Sequence, residues 1–295
     1  MLNKNKEIIT IAEVEKLIET IKSIDRLDSY NSYTYILNLL NRFIIPCPPV
    51  LIPKGKKFIR GRVHKNNEKY FNKITDVSYR RDEINILNFG RANEPHQSVF
   101  YCADDERTAI NETFTVAREQ RDIEFEEITW SVWELTRDIE LVYVIGNPDK
   151  RTPNSTVNDA TDVFLEKIKQ SEFGDIKNQV LLFHKFISDS FVLRAKGHNT
   201  LYKISCAFAN YIYNHSFKDS YTGKDLMSSG IMYASSICPE FGMNIALKPE
   251  IVDGCLKIVG AQKARMVRKN HSGFYIEKET SIAKGIDIEH NNIYW

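Results

Sequence analysis

Gly90-Arg91-Ala92-Asn93-Glu94-Pro95, followed by Val99-Phe100-Tyr101-Cys102-Ala103-Asp104-Asp105-Glu106-Arg107-Thr108-Ala109-Ile110-Asn111-Glu112, is the stretch on which the reading of this chain turns. It predicts a turn, a strand and a helix in succession. Ser98 to Ala103 is apolar and aromatic, as a strand requires. Asp104-Asp105-Glu106 supplies an acidic helix start, because negative charge suits the exposed N–H groups of a first turn. The helix is expected to run through Glu112 to about residue 120. Arg91 therefore stands in a turn, Tyr101 in a strand and Glu112 near the buried side of a helix. A guanidinium forks onto phosphate oxygens. An aromatic ring stacks on a flat heterocycle, and a fixed carboxylate opposes positive charge developing at a sugar carbon. Each residue also has a plainer reading: surface salt bridging for Arg91, cross-strand packing for Tyr101, an ion pair with a nearby arginine for Glu112.

Upstream, Lys57-Phe58-Ile59-Arg60-Gly61-Arg62-Val63 reads as a strand. Alternation puts Arg60 and Arg62 on one face, and an arginine from this strand joined by Arg91 from its turn would grip a pyrophosphate. Asn93, in the same turn as Arg91, is counted with the ligand-binding residues. Downstream, Gly230-Ile231-Met232-Tyr233-Ala234-Ser235-Ser236 is a strand ending in small hydroxyl side chains. Ser235 would orient a nucleotide, with Ser236 as the alternative.

Beyond these pieces, Ile8, Ile11, Val14, Leu17, Ile18 and Ile21 recur at helical spacing over 8–24, and a second helix is expected over about 32–44. Pro46, Pro48 and Pro49 end it. This gives a helical N-terminal appendage over 1–50 and a main domain over 51–295. Residues 64–88 lack a period and read as loop. Strands are expected over 125–135 and 139–145. Helical patterns follow over 158–172, 179–188 and 201–213, then strands near 244–247, 255–259 and 274–276. Strands at both ends with helices between them indicate α+β and argue against regularly alternating α/β.

The 295 residues carry 40 basic and 39 acidic side chains, a net charge of +1, so no global field draws the protein to nucleic acid or to a lipid surface. No apolar run approaches the length of a membrane span, and no secretory signal is visible. Five scattered cysteines without a C-x-x-C read as buried thiols of a reducing, cytoplasmic compartment. The seven histidines form no H-x-x-x-H, which argues against a metal site. No G-x-G-x-x-G, P-loop or G-x-S-x-G is present.

Taken together, Phe58-Ile59-Arg60-Gly61-Arg62, the Gly90 to Glu112 stretch, and Gly230 to Ser236 with Asn244-Ile245-Ala246-Leu247 after it resemble the signature of the RES domain, a family named for its Arg, Glu and Ser. The ordered set spans roughly 57–250. The resemblance implies an ADP-ribosyltransferase-like fold, a mixed or antiparallel β core with flanking helices. It also implies an enzyme that cleaves the nicotinamide–ribose bond of NAD, its substrate, by hydrolysis or phosphorolysis, without a metal. Family members are typically toxins of bacterial toxin–antitoxin pairs, so a neutralising antitoxin is an implied partner. The family's Arg, Arg, Tyr, Glu and Ser carry over onto Arg60, Arg91, Tyr101, Glu112 and Ser235, with Arg62 and Asn93 beside them on the cofactor. Ala92 replaces a larger side chain, and Glu94-Pro95-His96-Gln97 lacks the glycine usual after the proline. Two other readings stand beside this one: ADP-ribosyl transfer to a macromolecule, and a catalytically silent nucleotide-binding or interaction module. The N-terminal helices pack on the domain's own surface, mediate a homodimer or dock an inhibitor.

Overall fold

The computed structural model describes residues 1–3, 7–25, 30–64, 71–114, 125–171, 173–193, 199–214, 217–218, 225–238, 240, 242–269 and 274–295. Its main helices are α1 (Ile11–Asp25), α2 (Tyr30–Leu40), α3 (Glu106–Thr113), α4 (Ser155–Gln170), α5 (Lys177–Phe191), α6 (Lys203–Asn214) and α7 (Pro249–Cys255). Its main strands are β1 (Pro49–Ile52), β2 (Lys57–Val63), β3 (Phe100–Ala103), β4 (Phe125–Leu135), β5 (Ile139–Tyr143), β6 (Gly230–Ala234), β7 (Met243–Leu247), β8 (Leu256–Lys269) and β9 (Phe274–Ile282). Two compact units result. The first comprises Met1–Leu51, Glu83–Gln97 and Glu140–Phe241, and the second Ile52–Asp82, Ser98–Ile139 and Gly242–Trp295. The class is α+β, as the order of elements predicts.

The second unit is built on strands in the order β9-β8-β4-β2-β3-β7. Every described pairing in it is antiparallel. Helix α3 supplies Ala109 to a core with Ala103, Phe114, Ile128, Trp130, Ala264 and Met266. Asp105 caps α3, accepting from the Thr108 amide at 2.8 Å, as the acidic start predicts. Gly61 sets how closely α3 meets β2. A Cβ there would lie 2.2 Å from Trp130 Cζ3 and 2.5 Å from Thr113 Oγ1, so only glycine admits this approach. Phe114 leaves the helix for the core, and the expected continuation to about 120 falls outside the described residues.

Two features differ from expectation. β8 and β9 run well past the expected segments, because β8 pairs with β4 along the whole of β4 and with β9 through Lys269. Gln262, Lys263 and Arg265 break the apolar pattern there, and cross-strand pairing outweighs it. Helix α7 was not expected from periodicity. Its signal is Pro249 at the first helical position, where a missing N–H costs nothing.

In the first unit, α1 buries Val14, Leu17, Ile18 and Ile21 of the periodic set read from the sequence, while Ile8 just before it and Ile11 at its start are exposed, and α2 buries Tyr33, Ile36, Leu39 and Leu40. A reciprocal cap starts α1: Thr10 Oγ1 accepts from the Glu13 amide at 3.2 Å, and Glu13 Oε2 accepts from the Thr10 amide at 2.6 Å. Helix α6 is buried along almost its whole length. Lys203, fully buried at its start, donates to the Asp25 carbonyl at 2.8 Å and to Ser32 Oγ at 3.0 Å, tying α6 to the end of α1 and the start of α2. His184 of α5 sits among Phe164, Phe183 and Phe208 and donates Nε2–H to the Pro46 carbonyl at 2.8 Å. Burial lowers its pKa to about 4. Strand β6 runs parallel to β5.

Candidate functional site

In the second unit, Arg60 and Arg62 share a face of β2, and both turn their guanidinium groups onto backbone. Arg60 Nη1 donates to the Tyr101 carbonyl at 2.7 Å, its Nε donates to the Ser78 carbonyl at 3.2 Å, and its guanidinium lies 5.1 Å from the centre of the Phe100 ring. Burial draws its pKa down to about 10, which still leaves it charged at neutral pH. Its Nη2 makes no hydrogen bond among the described residues. Arg62 donates Nη1 to the Asp76 carbonyl and covers the Phe71 ring at 4.5 Å. Arg60 therefore clamps the strand that carries Tyr101, while Arg62 fastens the segment preceding Ser78.

Tyr101 is half-buried and lies opposite Ala246 of β7. Glu112, half-buried on α3, accepts at Oε1 from Nδ2 of Asn244 at 2.8 Å. The amide N–H orients the carboxylate by hydrogen bonding. Asn244 was missed as a site residue. Its signal lay in the sequence: a lone amide in Met243-Asn244-Ile245-Ala246-Leu247, a strand buried throughout, must find a partner.

In the first unit, the turn at Arg91 is closed by Asn93. The Gly90 amide donates to the Asn93 carbonyl at 2.9 Å, and Asn93 Nδ2 donates to the Glu94 carbonyl at 3.0 Å and the Asn88 carbonyl at 3.4 Å. Arg91 Nε donates to the Phe191 carbonyl at 2.8 Å. Its Nη2 donates to the Leu193 carbonyl at 2.8 Å and to Ser236 Oγ at 2.9 Å, and the group lies 4.8 Å from the centre of the Tyr202 ring. Nη1 makes no hydrogen bond among the described residues. Three fixed acceptors therefore hold one edge of the fork. Of the two candidate serines, Ser236 touches Arg91. Ser235, only 1% exposed, accepts from the amides of Ile237 at 3.1 Å and Cys238 at 2.9 Å and so holds the turn after β6.

Arg60, Tyr101 and Glu112 thus lie in the second unit with Arg62, and Arg91, Asn93 and Ser235 in the first. Among the described residues, no group of three or more His, Cys, Asp or Glu side chains is arranged to hold a metal ion. All five cysteines are buried and unpaired in disulfides. No helix of the described residues is long and apolar enough to cross a membrane.

No curated protein matches the chain. The family model of the RES domain matches residues 62–266, most of the chain, and covers Arg62, Arg91, Asn93, Tyr101, Glu112 and Ser235. The chain belongs to the RES domain family.

Proposed function

We propose that this RES domain protein is an NAD-consuming enzyme of the toxin type, cleaving the nicotinamide–ribose bond by hydrolysis or phosphorolysis. The observation that carries the reading is Glu112, a half-buried carboxylate on α3 whose direction is set by the Asn244 amide at 2.8 Å. As the C1′–N bond breaks, its electron pair passes to the pyridinium nitrogen and nicotinamide leaves neutral. Positive charge moves to the ribosyl carbon, where a preorganised anion lowers the barrier. Water or inorganic phosphate then bonds to C1′, and an acceptor proton is released.

Arg91 takes the pyrophosphate with the edge of its fork that its three backbone and serine acceptors leave over. Ser236 holds that fork in orientation, and Ser235 and Asn93 shape the turns from which it works. Arg60 holds the Tyr101 strand. The Tyr101 ring packs on the nicotinamide end. Arg62 supports the segment after Phe71. A protein that destroys NAD requires restraint in its own cell, which makes a neutralising antitoxin the expected partner.

Incubation of purified protein with NAD, with and without phosphate, should release nicotinamide; Glu112→Ala should lose that activity, and Arg91→Ala should weaken it, chiefly through a raised KM. No release under either condition would remove the reading. Undiminished release by both variants would remove the site assignment. Label from NAD retained on protein or nucleic acid would move the reaction to ADP-ribosyl transfer.

A further inference from the structure

The loop that carries Arg91 is gripped from two sides within the first unit, and both grips come from helices far away in sequence. Helix α2 takes its two ends. Tyr33 and Tyr30 pack on Phe89, with ring centroids 5.1 and 6.1 Å away, just before Arg91. The Tyr30 hydroxyl donates to Glu94 Oε2, just after it. Helix α6 takes the loop's far end. Gln97 Nε2 donates to Asn210 Oδ1 at 2.6 Å, and Asn210 Nδ2 donates back to Gln97 Oε1 at 3.1 Å. The same Nδ2 reaches Tyr33 Oη at 3.0 Å, which joins α6 to α2. Gln97 Oε1 then accepts from the Glu94 amide at 2.9 Å, carrying the grip back into the loop.

We infer that Gln97, Asn210, Tyr33 and Tyr30 are positioning residues for Arg91, and that α2 is a brace of the nucleotide-gripping loop. This rests on the NAD reading for its ligand. Asn210 is 1% exposed, so its paired amide bonds are shielded from water and hold one geometry. Arg91 donates to three acceptors on other segments, Phe191, Leu193 and Ser236, and meets all three only while its own backbone stays in register. Releasing Gln97 loosens the loop from which that register is set. The cost falls on binding of the anionic part of the substrate and spares the bond-breaking step.

The test is a double-mutant cycle with two readouts. Gln97→Leu should raise the KM for NAD about five- to tenfold, with kcat changed less than about twofold and the melting temperature lowered, because Asn210 Oδ1 and the Glu94 amide lose their partner. In an Arg91→Ala background the same substitution should add no further rise, because Gln97 acts through Arg91. Amide exchange over 89–97 should quicken in Gln97→Leu while α5 stays protected. Tyr30→Phe, a hydroxyl removed at a rim residue 52% exposed, should show the same pattern more weakly and guards against a variant that does not fold. An unchanged KM, or a rise that simply adds to that of Arg91→Ala, overturns the inference. If the wild-type protein does not consume NAD, the reaction reading falls alone, and unchanged exchange over 89–97 in Gln97→Leu would then overturn the brace.

Discussion

Glu112 and Arg91 are held by opposite means. Glu112 stands on a helix clamped to an antiparallel sheet and accepts from the side-chain amide of Asn244. Arg91 stands in a loop and has three acceptors, two of them carbonyls at and just beyond the end of α5. The first arrangement fixes the direction of a carboxylate from a rigid helix. The second fixes a direction by occupying part of the group's hydrogen-bonding capacity. The difference shows which substitutions should act on chemistry and which on placement.

Glu112→Gln gives the largest expected effect and tests the first half of the contrast. Glutamine keeps an acceptor for Asn244 Nδ2, so stability should stay within about 1 kcal/mol. NAD cleavage should fall on the order of 10²–10³-fold, because the charge is gone. Denaturant midpoints and nicotinamide release measure the two separately. A stable protein with full activity would mean that Glu112 is structural.

The first unit should be the acid-sensitive one. His184 has its folded pKa depressed to about 4 by burial, against 6.5 for the ordinary group. Between those values the unfolded chain binds the proton and the folded one does not. The His184 contribution to stability is therefore full above about pH 6.5 and falls as the pH drops towards 4. The loss amounts to about 3 kcal/mol, from roughly 1.4 kcal/mol per pH unit. Urea midpoints at pH 7 and pH 4 measure it, and His184→Gln should flatten the dependence. A wild-type slope that survives in His184→Gln would assign it elsewhere.

Gly61→Ala tests how strictly the second unit places Glu112. The added methyl meets Trp130 and Thr113 well inside contact distance, and Thr113 directly follows Glu112. Overpacking of this kind costs about 1–3 kcal/mol, and the shift of α3 should lower kcat more than it raises KM. A lowered melting temperature with unaltered kcat would show that α3 re-seats without moving its carboxylate.

Legibility followed the same division. The second unit's site residues lie on elements whose signals are local: alternation put Arg60 and Arg62 on one face, and the Asp-Asp-Glu start announced α3. What those side chains touch was not local. Arg60 reaches Ser78 and Tyr101, and Glu112 reaches Asn244, 132 positions away. The family resemblance identified Arg91 and a closing serine, but no periodicity reports that Arg91 would meet the carbonyl of Phe191 or that Gln97 would pair with Asn210. Those contacts depend on how α5, α6 and α2 pack. A loop carries no repeat from which such partners can be counted. The unbroken run of β8 was hidden for a related reason, since its pairing with β4 lies in neither strand's sequence alone.

The smallest effect separates the two serines. Ser236→Ala removes one of Arg91's three acceptors, a hydrogen bond to a charged group worth about 1.5 kcal/mol. The KM for NAD should rise about tenfold, with only a modest fall in melting temperature, because Arg91 keeps its two carbonyl acceptors. Ser235→Ala removes the acceptor for the Ile237 and Cys238 amides in a site that is 1% exposed. Two buried donors are then left over, so stability should fall by about 1–3 kcal/mol, and KM should move only as far as the turn after β6 relaxes. If Ser235→Ala instead raises KM at unchanged stability and Ser236→Ala does neither, the serine that serves the ligand is Ser235. Arg91's bond to Ser236 would then be incidental to its grip.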